Sequence, residues 1–243
     1  MGDPDNPATW KLPIETYMLT AQQERTIEGI RDELIDACMA RNGFASWKPP
    51  PSLPALSGKS LVDRRYGIHD AALAARRGYR PDVGEQKAYD EAMLEGAVDR
   101  TGADPQTEES CTLGAGSSAP MDAPSPLVEK ISRESFQAAA ADPRVKAVLA
   151  EWSACMKGKG HTYAKPKDAQ DDLRFNNRDT VTALEIATAT ADVACRNEHQ
   201  VTRTWFDVEA RLQQKAIRAH QADLEQVKAS NQAAVAQAQT MSK

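Results

Sequence analysis

The sequence predicts an all-α fold of two related helical halves, each closed by one disulfide, with a long C-terminal helix. Three observations carry this. Hydrophobic residues make up 41% of the 243-residue chain but aromatics only 5%. A core of Ala, Leu, Val and Ile suits closely packed helices, whereas a β-sandwich draws on β-branched and aromatic side chains. Apolar residues recur at three- and four-residue spacing through several long segments. The third observation is a repeat: Ala-Cys-Met occurs at 37–39 and at 154–156, each time near the end of an amphipathic helix.

Taken in order, residues 1–19 read as an extended N-terminal segment. Its Met-Gly start ahead of a polar stretch lacks the basic start and apolar run of a signal peptide, and looks like an expression start placed after a removed leader. Thr20 and Gln23 have the form of a capping box. Ile27, Ile30, Leu34, Ile35 and Cys38 then follow at helical spacing and Asn42-Gly43 ends the run, predicting a helix over 21–41. Residues 48–60 are too proline-rich to join a helix. A short helix is expected from Asp70 to Arg77 with Gly78 as its stop, and another from Gly84 to Arg100 carrying Tyr89, Met93 and Leu94.

Residues 101–126, rich in Gly, Ser, Pro and acids, read as the boundary between the halves. The expected domains are therefore 20–112 and 127–243, with a linker at 113–126 and Cys111 pinned beside it. The second half opens with a helix over 126–141. Asp142-Pro143 starts the next, with Val145, Val148, Leu149, Trp152 and Cys155 on one face. Residues 157–178 read as loop and Asp179 to Gln239 as almost wholly helical. A helix over 201–239 would be about 60 Å long at 1.5 Å per residue, so its end is expected to project or to fray.

Four cysteines, Cys38, Cys111, Cys155 and Cys195, allow three disulfide connectivities. The repeat favours one of them. After each Ala-Cys-Met come a glycine stop, an aromatic or histidine, a Lys-Pro loop and one further cysteine, which pairs Cys38 with Cys111 and Cys155 with Cys195. The bland alternative is chance recurrence in an Ala-rich chain with four reduced core thiols. Paired, they place the chain outside the cytoplasm, because disulfides persist in oxidising compartments.

A net charge of −5 and a pI near 5.5 argue against a nucleic-acid partner. No stretch reaches the roughly 18 apolar residues of a membrane span. No CxxC pair, HExxH, phosphate loop or nucleophile elbow occurs, so neither a metal, a cofactor nor a catalytic site is expected. His69, His161, His199 and His220 are dispersed and read as surface or cap residues.

Two candidate sites stand out. Glu185, Thr188 and Asp192 share one helical face, with Glu198 and His199 beyond them. If that face is inward, they bind a cation or a cationic ligand; the alternative is a solvated face, or buried acids paired with an arginine such as Arg64 or Arg65. Phe44, Trp47, Tyr66, Tyr79, His161 and Tyr163 flank loops, where they either line a ligand groove or plug gaps between loops and helices.

The stretches LPIETYMLT, CMARNGF, DRRYGIHDAALAARRGY, SRESF, DPRVKAVLAEWSACM and EIATATADVACR resemble a family of exported proteins and lipoproteins of filamentous actinobacteria, over about Leu12 to Lys228. The resemblance implies a cell-envelope location, with a leader and a lipid-modified cysteine in typical members. It implies no catalytic residues. The function expected is a non-enzymatic binding or sensing module holding an envelope component, a peptide or a partner protein. The rivals are a structural adaptor docking through its C-terminal helix and an immunity lipoprotein that sequesters a peptide antibiotic.

Overall fold

The computed structural model describes residues 3, 6–56, 58–96, 102, 104–120, 123–176 and 180–242. Among them the fold is all-α: α1 Ala21–Arg41, α2 Ala71–Arg77, α3 Val83–Gly96, α4 Pro105–Ser118, α5 Pro126–Ala141, α6 Pro143–Gly158, α7 Pro166–Gln170, α8 Ala183–Glu198, α9 Val201–Ala219 and α10 Gln221–Met241. No described helix is long and apolar enough to cross a membrane.

Local chemistry sets most boundaries where the sequence places them. Thr20 accepts from the Gln23 N–H while Gln23 reaches back to the Thr20 N–H, completing the capping box. Asp70 caps α2 and Asp142 caps α6, with Pro143 at the first turn. The sequence-predicted end of α3 at Arg100 and the start of the last helical run at Asp179 lie outside the described residues.

Both disulfides form as the repeat suggests, Cys38–Cys111 and Cys155–Cys195, with Cα separations of 5.6 and 5.8 Å. Such bonds belong to chains that fold in an oxidising environment. The repeat is also structural. At the end of α1 the Gly43 N–H donates to Ala40 O and Phe44 N–H to Met39 O; at the end of α6 Gly160 N–H donates to Lys157 O and His161 N–H to Met156 O. This is one Schellman cap built twice, with glycine in the left-handed region at φ +95° and +86°.

The chain divides into two compact units, but not at 113–126. One, the α8 unit, comprises Met1–Pro13, Pro54–Tyr89 and Ser132–Ala216; the other, the α1 unit, comprises Ile14–Leu53, Asp90–Ile131 and Ile217–Lys243. Each unit holds one disulfide. The reason lies in pairings distant in sequence: α8 packs on α2, α6 and α7, and α1 packs on α4 and α10.

In the α8 unit, Trp152, Met156, Ala189, Val193 and Val201 form the main core with Ile68, Ala74 and Tyr79. In the α1 unit, Ile35, Met39 and Trp47 close over Cys111 and Ala115, while Ile27 and Ile30 meet Ala238.

Four further expectations are corrected. The linker region contains α4, which Asp104 caps, Pro105 opens and Cys111 and Ala115 anchor by burial. Residues 1–19 include two 3-10 turns, Pro7–Thr9 and Pro13–Tyr17, with Trp10, Leu12, Ile14 and Tyr17 buried. The 157–178 loop contains α7 and a 3-10 turn, each opened by an acid or a proline at its first positions. The 201–239 helix breaks at His220 (φ −122°, ψ 27°). Beyond the break α10 neither projects nor frays: Leu224 and Ala238 are fully buried in the α1 unit.

Candidate functional site

The acidic face of α8 does turn inward. Glu185, Thr188 and Asp192 are at most 1% exposed. Buried carboxylates must be paired and hydrogen-bonded, or burial would neutralise them, and here the protein supplies every partner itself. Glu185 accepts from the Arg80 guanidinium at 3.2 Å and from the Tyr79 N–H at 3.3 Å. Asp192 accepts from Trp152 Nε1 at 2.8 Å, Tyr79 OH at 3.2 Å and Arg196 Nε at 2.6 Å. Thr188 Oγ1 donates to Leu184 O and meets His161 Nδ1 at 3.2 Å. The face is a structural brace.

The arginines expected to serve these acids do other work. Arg65 holds Glu209 with contacts of 2.7 and 3.1 Å, and Tyr66 OH and Gln213 Nε2 donate to the same carboxylate. Arg64 instead donates to the backbone carbonyls of Tyr79 and Arg80. It therefore fixes the turn that aims Arg80 at Glu185. The sequence contained one usable signal for the true pairs: Arg196 stands four residues after Asp192, the helical spacing for an ion pair. Arg80, 105 residues from Glu185, offered none.

The five loop-flanking aromatics and His161 divide between the two units. Phe44 and Trp47 belong to the α1 unit, where they cover the Cys38–Cys111 bond, and Trp47 Nε1 donates to Glu108. Tyr66 and Tyr79 are buried in the α8 unit, and burial beside Glu209 and Asp192 respectively drives both phenols above their ordinary range. Tyr163 bonds to Asp172 at 2.7 Å, which its own burial and that carboxylate reflect in a raised phenol. His161 contacts Thr188. These residues plug gaps. Cys155, Glu198 and His199 come within 4.8 Å of one another, but the Cys155 sulfur is committed to the disulfide and offers no thiolate to a metal.

The α8 unit carries a polar cleft of about 450 Å³ between the 58–70 segment, α2 and the start of α3. Its wall carries cations, Lys59, Arg64 and Arg76, and acids, Asp63, Asp70, Asp82 and Glu85. Arg64 is one of only two non-glycine residues with positive φ among the described residues, at +62°. A side chain held there costs about 1–3 kcal/mol and persists where the surroundings enforce it. Burial lowers the Arg64 pKa, against the opposing fields of Asp63, Glu85 and Asp70.

His69 Nε2 lies 2.7 Å from Asp63 Oδ1 at the edge of this cleft, and Asp63 also accepts from the Lys59 N–H. A carboxylate–imidazole pair is the orienting half of a catalytic triad, but no hydroxyl or thiol bonds to His69 among the described residues. The pair thus orients the His69 ring at the edge of the cleft. Sequence reading missed His69 and Asp63 because their apposition depends on the turns of residues 63–67, with positive φ at Arg64 and Gly67.

No family model, no curated protein and no solved structure matches this chain.

Proposed function

We propose that the chain is a non-enzymatic binding module acting outside the cytoplasm, and that the cleft around Arg64 holds a small ligand carrying both charges, such as a short peptide. The observation that carries this is the wall itself: three cations and four carboxylates line an open volume within the size range of small-molecule sites. Beneath it, the Arg80–Glu185 and Arg196–Asp192 pairs and the Cys155–Cys195 bond hold the supporting helices, so the wall is preorganised. The two disulfides support an extracytoplasmic setting, in which the chain is free or tethered by a lipid anchor at the outer face of the membrane. A peptide-antibiotic immunity role is the specific form of this reading. The adaptor reading has less support, because the apolar residues of α10 are used inside the α1 unit.

The test is calorimetry and thermal shift of the full chain with tetrapeptides bearing one acidic and one basic side chain, and with cell-wall fragments and peptide antibiotics. Saturable binding that the double variant Arg76→Gln/Glu85→Gln weakens at least tenfold is the expected result. No binding across these panels, or binding indifferent to the double variant, overturns the reading.

A further inference from the structure

A second cleft of about 340 Å³ opens on the α8 unit, sharing only His69 with the first. Its wall includes Trp10, His69, Arg196, Gln200, Thr202 and Arg203, and no carboxylate among the described residues. We propose that this cleft is an oxyanion site, taking a carboxylate or phosphate group.

The two arginines and His69 of this wall are each held by a neighbouring acid. Each is tied from behind by an acid that is not part of this wall. Arg196 donates through Nε to Asp192 at 2.6 Å and through Nη1 to Tyr66 O, and its side chain is only 3% exposed. Its remaining nitrogen, Nη2, has no protein acceptor among the described residues. Gly67 is what allows this placement, since a Cβ there would overlap the Arg196 guanidinium. Arg203 is anchored through Nε to Asp207 at 3.1 Å and lies over the Trp10 ring at 5.3 Å, which leaves its outer nitrogens directed by two contacts. His69 is held by Asp63. Guanidinium groups fixed in orientation recognise planar or tetrahedral oxyanions through paired donors.

The backbone at this cleft is also unusual. Gln200 adopts φ +51° without being glycine, and its side-chain amide bonds to Asn197 O at 2.8 Å. This turn directs the chain from α8 into α9, whose first turn brings Thr202 and Arg203 to the same wall. The two arginines carry the proposal.

This site does not depend on the mixed-charge ligand proposed for the first cleft. Its test uses the full, oxidised chain titrated separately with inorganic phosphate and with N-acetylglycine, followed by backbone amide NMR and calorimetry. The expected result is saturable movement of the Asn197–Arg203 amide signals with at least one probe. Arg203→Gln should weaken that binding at least tenfold without lowering the melting temperature, and Arg203→Lys should restore part of it. Response to phosphate alone assigns a phosphate-bearing ligand, and response to N-acetylglycine alone assigns a carboxylate. Neither probe moving those signals, or equal binding by Arg203→Gln, overturns the site. Phosphate binding here with no peptide binding at the first cleft would sustain this inference and overturn the earlier one.

Discussion

Met39 and Met156 are structural counterparts: each lies one residue after a disulfide cysteine, is fully buried, and accepts through its carbonyl from the second residue after the helix cap, Phe44 or His161. The two caps make the same demand on the backbone. Gly43 and Gly160 have positive φ, and a Cβ at either would meet nothing within 4 Å. Replacing either glycine by alanine should therefore cost about 1–2 kcal/mol from the left-handed backbone alone. Urea denaturation of the two variants measures it, and equal stability to the parent would refute the cap assignment.

The Arg80–Glu185 pair is the clearest test of the α8 brace. Arg80→Met leaves a carboxylate that is 1% exposed without its cation and should cost about 3–5 kcal/mol. Arg80→Met with Glu185→Met should recover most of that loss. Chemical denaturation of both variants reads the difference; a double variant as unstable as the single one contradicts the pairing.

Alkali should act through the buried tyrosines. Burial, then Glu209, raises the Tyr66 phenol, and burial, then Asp192, raises that of Tyr79. A folded pKa above the unfolded one means that this contribution to stability is intact below the ordinary phenol value of about 10. It is lost as pH rises beyond that, because the unfolded chain releases protons the folded chain keeps. In a phenolate absorbance titration, Tyr66→Phe should leave the native-state amplitude unchanged and remove amplitude only on unfolding. Loss of native amplitude near the ordinary phenol range would show that Tyr66 is exposed.

Removing residues 229–243 takes Ala238 away from Ile27 and Ile30. The truncation should lower thermal stability and accelerate hydrogen exchange of α1, whereas an end that frays in solution would leave both unchanged.

The elements that local chemistry decides were legible in the sequence. Thr20, Asp70 and Asp142 announce their helices within four residues, and the repeated Ala-Cys-Met with its trailing glycine announces the disulfides. The units were hidden, because α8 packs on α2 in the first part of the chain and α10 returns to α1, and periodicity does not encode pairing across more than a hundred residues. The helix α4 was missed since Gly, Ser and acids dominate it and only Cys111 and Ala115 are buried. At the site, the inward face of α8 was visible as a pattern, but its ligands were not: Arg80 and Arg196, rather than Arg64 and Arg65, complete it. Both clefts depend on the positive-φ residues Arg64, Gly67 and Gln200, and no composition signal predicts an arginine or glutamine in that conformation.

Each unit carries its own staple. Proteolysis of the unreduced chain followed by mass mapping tests it most directly. Linked peptides containing Cys38 with Cys111 and Cys155 with Cys195, and no free thiol, are the predicted result. A peptide linking Cys38 or Cys111 to Cys155 or Cys195, or four free thiols in material from an oxidising compartment, would contradict it.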